Sequence, residues 1–416
     1  MSHLSELSAS PHTSTLTAYR GLAPDEQLDA VYEASVGLRG LRVVHINTTI
    51  KGGGVAGMIS QLCPIANELG LPHERLIVEL DSKSARFFAS MTDMLQGGGP
   101  GFPPLELKKA FLDHLSRSAE ALTLPEADLY VVHDPSLAPL AEMLTAMRPA
   151  VWFSHLDTAA PNSAARDLVL SWLQDYIRII FTTPGNVFSA LSPEKVRVVR
   201  LGIDVFSKKN MGASSQEQRQ TLINHGFDPN RPLISQISRF GTWKNHSQAI
   251  DIYNLCKLEE PGLQLALVGA LEASDDADAL RIRDEIVAAA RGDRNIHVLS
   301  DPTIVDHACV DAVQSQSEVV LQRSTREGFG FTVTEAMWKQ KPVVGTSATG
   351  IKFQISHGIN GIIADQAEVA ANSVIDLLHS PAAALSIGQA AKESVRQNHL
   401  LPAFLADYFG VLREIF

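Results

Sequence analysis

Short apolar runs rich in branched residues alternate along this chain with longer segments in which apolar positions recur every three or four residues. Runs of this length, separated by helical periodicity, predict parallel strands joined by crossover helices. A polar stretch at 207–220 interrupts the alternation and is typical of a link between domains. The pattern therefore predicts an α/β protein with two doubly wound domains in sequence. The predicted strands lie at 42–47, 75–80, 128–134, 150–155, 177–183, 196–204, 232–238, 263–269, 296–300, 317–322 and 341–346.

The composition indicates which classes of protein this chain can belong to. With 416 residues, 45% hydrophobic and 19% charged, the chain has the size and balance of a two-domain globular protein. A formal net charge of -11 argues against a nucleic-acid surface, which needs clustered Lys and Arg. No apolar run approaches the roughly 20 residues of a membrane span, and the N-terminal residues lack the pattern of a secretory signal. The three cysteines lie far apart, which favours reduced thiols and a cytoplasmic location.

A glycine turn follows the first predicted strand. Gly52, Gly53 and Gly54 separate that strand from a helical pattern. Backbone N–H groups of such a turn can approach a ligand closely, and the following helix N-terminus favours anionic groups. The turn is therefore predicted to hold an oxyanion or sugar hydroxyls, and a tight turn without a ligand is the alternative. Because the motif is not GxGxxG, a nicotinamide cofactor is not predicted.

Two cations follow the first strand of the second predicted domain. Arg239 and Lys244 lie five residues apart in the segment SRFGTWKN. An arginine fork and a lysine point charge on one loop can converge on a single anion. In a chain this acidic, the pair indicates a phosphate or diphosphate site. A solvated surface pair is the alternative.

Two glutamates surround a third glycine-rich turn. Glu327 and Glu335 enclose seven residues in REGFGFTVTEAMW, and a helix is predicted to start near Phe331. Carboxylates beside a flexible turn can accept hydrogen bonds from the vicinal hydroxyls of a sugar. The alternative is that they only complement the dipole of the helix start.

Two further features are interpreted as structural and not as ligand-binding sites. Asp276 and Asp278 form a DxD sequence, but their surroundings are typical of an acidic helix start, so no metal site is predicted. His45 stands alone in the first predicted strand and is interpreted as a packing residue.

The ordered set of motifs resembles a known family. The segments that carry the resemblance are HINTTIKGGGVA, VVHDP, WFSHLD, SRFGTWKN, QRSTREGFGFTVTEAMWK and GIKFQISHGINGIIA, which span about residues 43 to 365, and SVRQNHLLPAFLADY near the end. They resemble the retaining nucleotide-sugar glycosyltransferases of family 4. The likeness is greatest to the branch that contains trehalose synthase (trehalose glycosyltransferring synthase) and trehalose phosphorylase. The resemblance implies the GT-B fold, in which two Rossmann-like domains face a central cleft.

The resemblance also implies donor-side roles. Arg239 and Lys244 would hold the diphosphate of the departing nucleotide in place of a metal. Glu335 would bind the ribose hydroxyls, and Glu327 would bind hydroxyls of the donor glucose. The remaining donor-binding residues would be Gly53, Gly54, Gly328, Phe329, Gly330 and Phe331.

A histidine completes the implied catalytic set. His155 would contact the donor sugar near its reacting carbon, so the predicted catalytic residues are His155, Arg239, Lys244 and Glu327. The candidates for the acceptor side are His133, Asp134 and Asp157. After VVHDP the branch usually has Gln-Pro, where this chain has Ser136 and Leu137, so the acceptor stays open.

The implied enzyme transfers glucose, with retention, from UDP-glucose or ADP-glucose to a sugar hydroxyl, and with glucose as acceptor it would form trehalose. Neither a metal nor a cofactor is expected, and the resemblance allows a homodimer. Trehalose phosphorolysis, transfer to another small acceptor, and a non-catalytic nucleotide-sugar sensor are the alternatives. The expected organisation is an N-domain at 1–206 with a partly helical arm at 1–38, a nucleotide-sugar domain at 215–398, and a final helix at 399–416 that returns to the N-domain.

Overall fold

The computed structural model describes residues 3–4, 15–50, 53–99, 101–271, 277–290 and 292–416. The chain divides into two compact units. The first comprises Met1–Leu201 and Leu401–Phe416, and the second comprises Gly202–Leu400.

The first unit is built on a seven-stranded sheet in the order β1-β3-β2-β4-β5-β6-β7. Its strands are β1 His3–Leu4, β2 Val43–Asn47, β3 His73–Ile77, β4 Leu129–His133, β5 Ala150–Ser154, β6 Arg178–Phe181 and β7 Val196–Val198. β1 pairs antiparallel with β3, and the other neighbours are parallel. The strand order reverses between β2 and β4, which is where ligands bind in open parallel sheets.

Helices cover this sheet. They are α1 Asp25–Gly37, α2 Gly53–Glu68, α3 Ser82–Leu95, α4 Leu105–Ala121, α5 Leu140–Met143 and α6 Ser163–Trp172. The side chain of Asp81 caps α3 by accepting from the N–H of Ser84, and Asn162 caps α6. Phe87 of α3 and Phe111 of α4 stack with ring centroids 4.9 Å apart. Because β2, β4 and β5 are buried along their whole length, their apolar residues form the centre of the core.

The second unit contains a six-stranded, fully parallel sheet in the order β10-β9-β8-β11-β12-β13. This is the 3-2-1-4-5-6 order of dinucleotide-binding domains, and it reverses between β8 and β11. The strands are β8 Leu233–Ile237, β9 Gln264–Val268, β10 Ile296–Leu299, β11 Val319–Gln322, β12 Val343–Gly345 and β13 Ile362–Ile363.

The helices of the second unit are α7 Ser215–Asn224, α8 His246–Cys256, α9 Ala277–Ala289, α10 His307–Gln316, α11 Phe331–Trp338, α12 Thr349–Gln354, α13 Ala367–His379 and α14 Pro381–Asn398. A capping box between Ser214 and Glu217 starts α7, so part of the polar stretch predicted as a link is a regular helix.

The last helix, α15 Leu401–Arg413, belongs to the first unit. Asp407 of α15 forms an ion pair with Arg200, with 2.8 Å between Oδ2 and Nε. Tyr408 is fully buried, and its ring lies 5.9 Å from that of His45. Apolar burial and this ion pair together attach the end of the chain to the first unit.

The prediction of an α/β protein with two doubly wound domains is confirmed. Within the described residues, the structure contains no helix with the length and apolar character needed to cross a membrane.

Candidate active site

In the second unit, two predicted motifs leave the sheet side by side. The segment that carries Arg239 and Lys244 follows β8, and the segment that carries Glu327 follows β11, which is the neighbour of β8 at the strand-order reversal. The backbone N–H of Thr325 donates to the carbonyl of Trp243 over 2.8 Å and ties the two loops together. Residues more than 80 positions apart in the chain are thus brought to the edge of the sheet where ligands bind.

Lys244 and Glu327 are in direct contact. Lys244 ends a short 3-10 turn, and its Nζ lies 2.6 Å from Oε2 of Glu327. The same oxygen accepts from Gln322 at 3.2 Å and from Ser324 at 3.3 Å. The two charged side chains are only 25% and 13% exposed, so the pair is partly shielded from water. Arg239 lies at the start of the same loop with an exposed side chain.

The glycine-rich turn before α11 is held by α12. Gly330 has φ of 91°, a left-handed conformation that favours glycine. Nε2 of Gln354 donates to the carbonyl of Phe329 at 2.6 Å, and the N–H of Gly350 donates to the carbonyl of Glu327 at 2.8 Å. The predicted donor-binding residues 328–331 therefore lie in a turn whose shape depends on Gly350 and Gln354. Both belong to the motif GIKFQISHGINGIIA, which could have identified them.

Glu335 has a different partner from Glu327. It lies in α11, is 2% exposed, and forms an ion pair with Lys209 rather than with Arg239 or Lys244. Nζ of the neighbouring Lys339 donates to the carbonyl of Lys209 at 2.7 Å. Lys209 was not predicted as a site residue, because it lies in the polar stretch interpreted as a link.

In the first unit, three histidines from adjacent strands form one line of hydrogen bonds. His45 is in β2, His133 ends β4, and His155 follows β5. Nδ1 of His45 lies 3.0 Å from Nε2 of His133, and Nδ1 of His133 lies 3.0 Å from Nε2 of His155. The structure thus brings the predicted His133 and His155 together. His45, interpreted as a packing residue, is buried but is also the third member of this line.

All three imidazoles are held neutral. Burial is the main cause that lowers the pKa of His155 to about 3 and holds the pKa values of His45 and His133 well below their ordinary range. Repulsion between the neighbouring imidazoles adds to the effect for His45 and His133. A protonated ring would have to lose its hydration among other donors, so the line carries no net charge near neutral pH.

The acidic candidates of this unit hold loops in place. Asp134 has φ of 62°, and its Oδ1 accepts the backbone N–H of His155 at 2.9 Å. Burial raises the pKa of Asp134 to about 7, although that hydrogen bond opposes the shift. Oδ1 of the buried Asp157 accepts the N–H of Ala159 at 3.2 Å. Both carboxyls therefore shape the backbone around His155.

The first glycine turn is only partly described. Gly52 lies outside the described residues, whereas the exposed Gly53 begins α2 with φ of 74° and is followed by the exposed Gly54. The loop before the turn is held by Arg75, which is 1% exposed, donates to Asn47 at 2.8 Å, and donates to the carbonyl of Ile50 at 3.1 Å. Arg75 was not predicted from the sequence, because it lies in an apolar strand.

Two family models match the chain in the order of its two units. Residues 45–187 match the model described as trehalose synthase, N-terminal domain, and residues 217–394 match the model of glycosyl transferases group 1. A trehalose synthase from Thermococcus litoralis is 35% identical over 96% of this chain and 97% of its own length. The chain belongs to the trehalose synthase family. The predicted resemblance and the predicted enzyme class, a hexosyltransferase, are therefore confirmed.

More distant matches agree with this family and fold. A trehalose phosphorylase from Grifola frondosa is 25% identical over 80% of this chain, and the match covers 51% of its own length. The structure of a sucrose-phosphate synthase from Thermosynechococcus elongatus superposes with a TM-score of 0.70 and 18% identity over 90% of this chain and 99% of that chain. At this identity the superposition shows the fold alone, which is the predicted GT-B fold.

The DxD sequence is described only in part. Asp276 lies outside the described residues, and Asp278 pairs with Arg281 at 3.4 Å on the exposed surface of α9. Among the residues with described positions, no group of three or more His, Cys, Asp or Glu side chains is arranged to hold a metal ion.

We expect the first unit to lose stability as pH falls from about 6.5 to 4. His45, His73, His133 and His155 all have lowered folded-state pKa values, so the unfolded chain binds more protons in this range. For each such group, the free energy of unfolding falls by up to about 1.4 kcal/mol for every pH unit in this range. Asp134 has the opposite effect on the free energy of unfolding, because its pKa is raised in the folded state. Its contribution to stability is lost as pH rises from about 4 to 7.

Urea unfolding at pH 7 and pH 5 measures this effect. The wild-type protein should have a lower free energy of unfolding at pH 5. The Asp134→Asn variant should show a larger difference between the two pH values, since it removes the opposing carboxyl. A free energy of unfolding that does not change between the two pH values would contradict the assignment of neutral imidazoles.

Proposed function

We propose that this enzyme transfers glucose with retention of the α configuration from UDP-glucose or ADP-glucose to a sugar hydroxyl, and that free glucose is the acceptor and trehalose the product. The observation that carries the proposal is the contact between Lys244 and Glu327 at the strand-order reversal of the second unit. This contact supports the proposal, in which Lys244 is the cation for the leaving diphosphate and Glu327 is the carboxylate for sugar hydroxyls. Membership of the trehalose synthase family supports the choice of acceptor.

The ion pair suits an exchange of partners on donor binding. Without a ligand, the charges of Lys244 and Glu327 neutralise each other. A diphosphate competes for the ammonium of Lys244, and a sugar hydroxyl takes its place as the donor to Glu327. Each charged group keeps a partner throughout, so neither is left buried and unpaired.

In this proposal, electrostatic stabilisation of the transition state accelerates cleavage of the glycosyl bond. Cleavage of the bond between the anomeric carbon and the phosphate oxygen develops positive charge on the sugar and negative charge on the leaving group. A fixed ammonium at the diphosphate stabilises that transition state more than the ground state. The acceptor hydroxyl attacks from the face that the phosphate leaves, and the departing phosphate oxygen takes its proton. No separate base is needed for this step.

An NMR time course with UDP-glucose or ADP-glucose, with and without free glucose, tests the proposal. An α,α-linked disaccharide that forms only with glucose would establish the acceptor and retention together. Release of nucleotide only with a different acceptor would contradict glucose as the acceptor. Phosphate-dependent breakdown of trehalose without nucleotide would identify a phosphorylase, and donor binding without turnover would identify a sensor.

We also propose that catalysis needs neither a metal ion nor a cofactor, because Lys244 and Arg239 supply the positive charge at the diphosphate. Turnover should be unaffected by EDTA. Loss of activity in EDTA and its recovery with Mg²⁺ would contradict this.

We propose that the enzyme is located in the cytoplasm. Its three cysteines are free and buried, in keeping with a reducing compartment. A homodimer is proposed by analogy with the family and can be checked by light scattering. Nucleic acid and membrane are not proposed as partners.

Glu335→Gln is expected to raise the dissociation constant of the nucleotide about tenfold, because a charged acceptor for the ribose hydroxyls becomes a neutral amide. Isothermal titration with UDP and ADP measures the change. The matched control is Glu393→Gln, which removes a glutamate of the same unit that pairs with Arg396 on the surface. Unchanged affinity in Glu335→Gln would remove this residue from the ribose site and leave it as the structural partner of Lys209.

A further inference from the structure

The line of histidines continues into the last helix. Oη of Tyr408 in α15 lies 3.4 Å from Nε2 of His45, so the sequence of contacts runs from Tyr408 through His45 and His133 to His155. Tyr408, His45 and His133 are buried, and His155 is half-buried. The line therefore connects a residue near the end of the chain to the predicted catalytic histidine.

The tautomers along this line depend on one another. A neutral imidazole has one N–H and one bare nitrogen, and each contact needs one of each. If Nδ1 of His45 donates, then Nε2 of His133 is bare, its Nδ1 carries the proton, and Nε2 of His155 is bare. The three rings thus have only two arrangements, with all protons on Nδ1 or all on Nε2.

The hydroxyl of Tyr408 determines which of the two proton arrangements the three rings adopt. A buried hydroxyl that cannot donate a hydrogen bond is costly. Among the described residues, its only hydrogen-bond partner is Nε2 of His45. Tyr408 donates to this nitrogen only when the nitrogen is bare, which places every proton of the line on Nδ1. His155 then carries its proton on Nδ1, where no described residue forms a hydrogen bond with it.

A fourth histidine, His73, is an alternative acceptor for the hydroxyl of Tyr408, and this contact would favour the opposite arrangement of the ring protons. Nδ1 of His73 lies 2.8 Å from the carbonyl of Leu71 and donates to it, so its Nε2 is bare, and this buried nitrogen has no partner in the described part of the chain. The rings of His73 and Tyr408 lie 6.0 Å apart. A Tyr408 hydroxyl turned towards His73 would accept from His45 and reverse all three tautomers.

We propose that Tyr408, His45 and His133 are positioning residues that fix His155 as a neutral hydrogen-bond donor through Nδ1. The consequence for catalysis rests on the proposed function and on the role that the family resemblance implies for His155, which is contact with the donor sugar. A neutral N–H can hold a hydroxyl oxygen of that sugar without repelling the positive charge that develops at the anomeric carbon. An imidazolium would oppose that charge, and a bare nitrogen would repel the hydroxyl oxygen unless the hydroxyl turned its proton towards it.

The test compares two Tyr→Phe variants. Tyr408→Phe removes the hydroxyl that begins the line. Tyr176→Phe is the matched control, because Tyr176 is also fully buried in the first unit and its hydroxyl donates to the carbonyl of Ala138 at 2.9 Å, away from the histidines. Both variants lose one buried hydroxyl, so a purely structural effect should appear in both.

The readout is the ¹⁵N spectrum of the full chain with labelled histidine rings, in which proton-bearing and bare nitrogens resonate far apart. His155 is assigned by the loss of its signals in His155→Asn. The wild-type protein and Tyr176→Phe should show the proton of His155 on Nδ1. Tyr408→Phe should show a mixture of tautomers and a fall in kcat of about tenfold, and Tyr176→Phe should keep the wild-type kcat.

Two results would overturn the inference: a wild-type His155 with its proton on Nε2, or a Tyr408→Phe spectrum equal to that of the wild type. His73→Phe gives a second check, because removal of the competing acceptor should leave the proton of His155 on Nδ1, and a reversed tautomer would contradict the role of Tyr408. The spectra need no substrate. A wild-type protein without turnover would therefore refute the proposed function, whereas the spectra decide the tautomer by themselves.

Discussion

Replacement of Lys244 by alanine is expected to lower kcat about 100- to 1,000-fold while it raises the dissociation constant of the nucleotide-sugar much less. The ammonium of Lys244 is held 2.6 Å from Glu327, at the edge of the sheet where the diphosphate is proposed to bind. Charge on the leaving diphosphate is greatest when the glycosyl bond breaks, so loss of the cation is felt most in the transition state. Single-turnover rates and donor titrations separate the two effects.

The control for this prediction is Lys257→Ala. Lys257 also belongs to the second unit and pairs with Asp293 at 2.8 Å, but it lies outside the two motif loops. Its removal should leave kcat unchanged. If Lys244→Ala instead weakens binding and turnover by the same factor, Lys244 stabilises the bound donor and not the leaving group.

Much of the second-unit site could be predicted because its chemistry lies in strand-end loops. A glycine turn or a charged pair directly after an apolar run is visible in the sequence, and parallel strands place such loops at one edge of a sheet. Lys244 and Glu327 meet because β8 and β11 are neighbours. Local patterns do not reveal strand order, so the ion pair itself could not be predicted.

The residues that sequence analysis missed or interpreted as structural share a physical cause. His45 and Arg75 lie within apolar strands, where a single polar residue has no pattern of its own. Their partners come from other strands and loops, so only the assembled sheet shows what they bind. Lys209 was missed for a similar reason, because its partner Glu335 lies more than 100 positions further along the chain.

Short edge elements were also beyond prediction. β1 has two residues and pairs antiparallel at one edge of the first sheet, and β13 has two residues at one edge of the second. Two residues are too few to show an alternating pattern. The long central strands were predicted correctly because burial on both faces requires a continuous apolar run.

Gly350→Ala is expected to lower the free energy of unfolding of the second unit by about 3 kcal/mol and to weaken donor binding strongly. A Cβ at this position would lie 2.5 Å from Cα and 2.6 Å from the backbone nitrogen and oxygen of Phe329. These are backbone atoms of the glycine-rich turn, which cannot rotate away as a side chain can. Relief of the clash must move the turn that follows Glu327, and with it the N–H groups proposed to line the donor.

The same change also strains the hydrogen bond from the N–H of Gly350 to the carbonyl of Glu327, so stability and donor affinity should fall together. Gly410→Ala provides the comparison, because Gly410 lies in α15 and a Cβ there meets no atom within 4 Å. That variant should gain about 0.5 to 1 kcal/mol from the helix preference of alanine. Urea unfolding and titration with UDP-glucose measure both quantities. A Gly350→Ala protein that binds UDP-glucose with wild-type affinity would show that the turn tolerates displacement and does not shape the donor site.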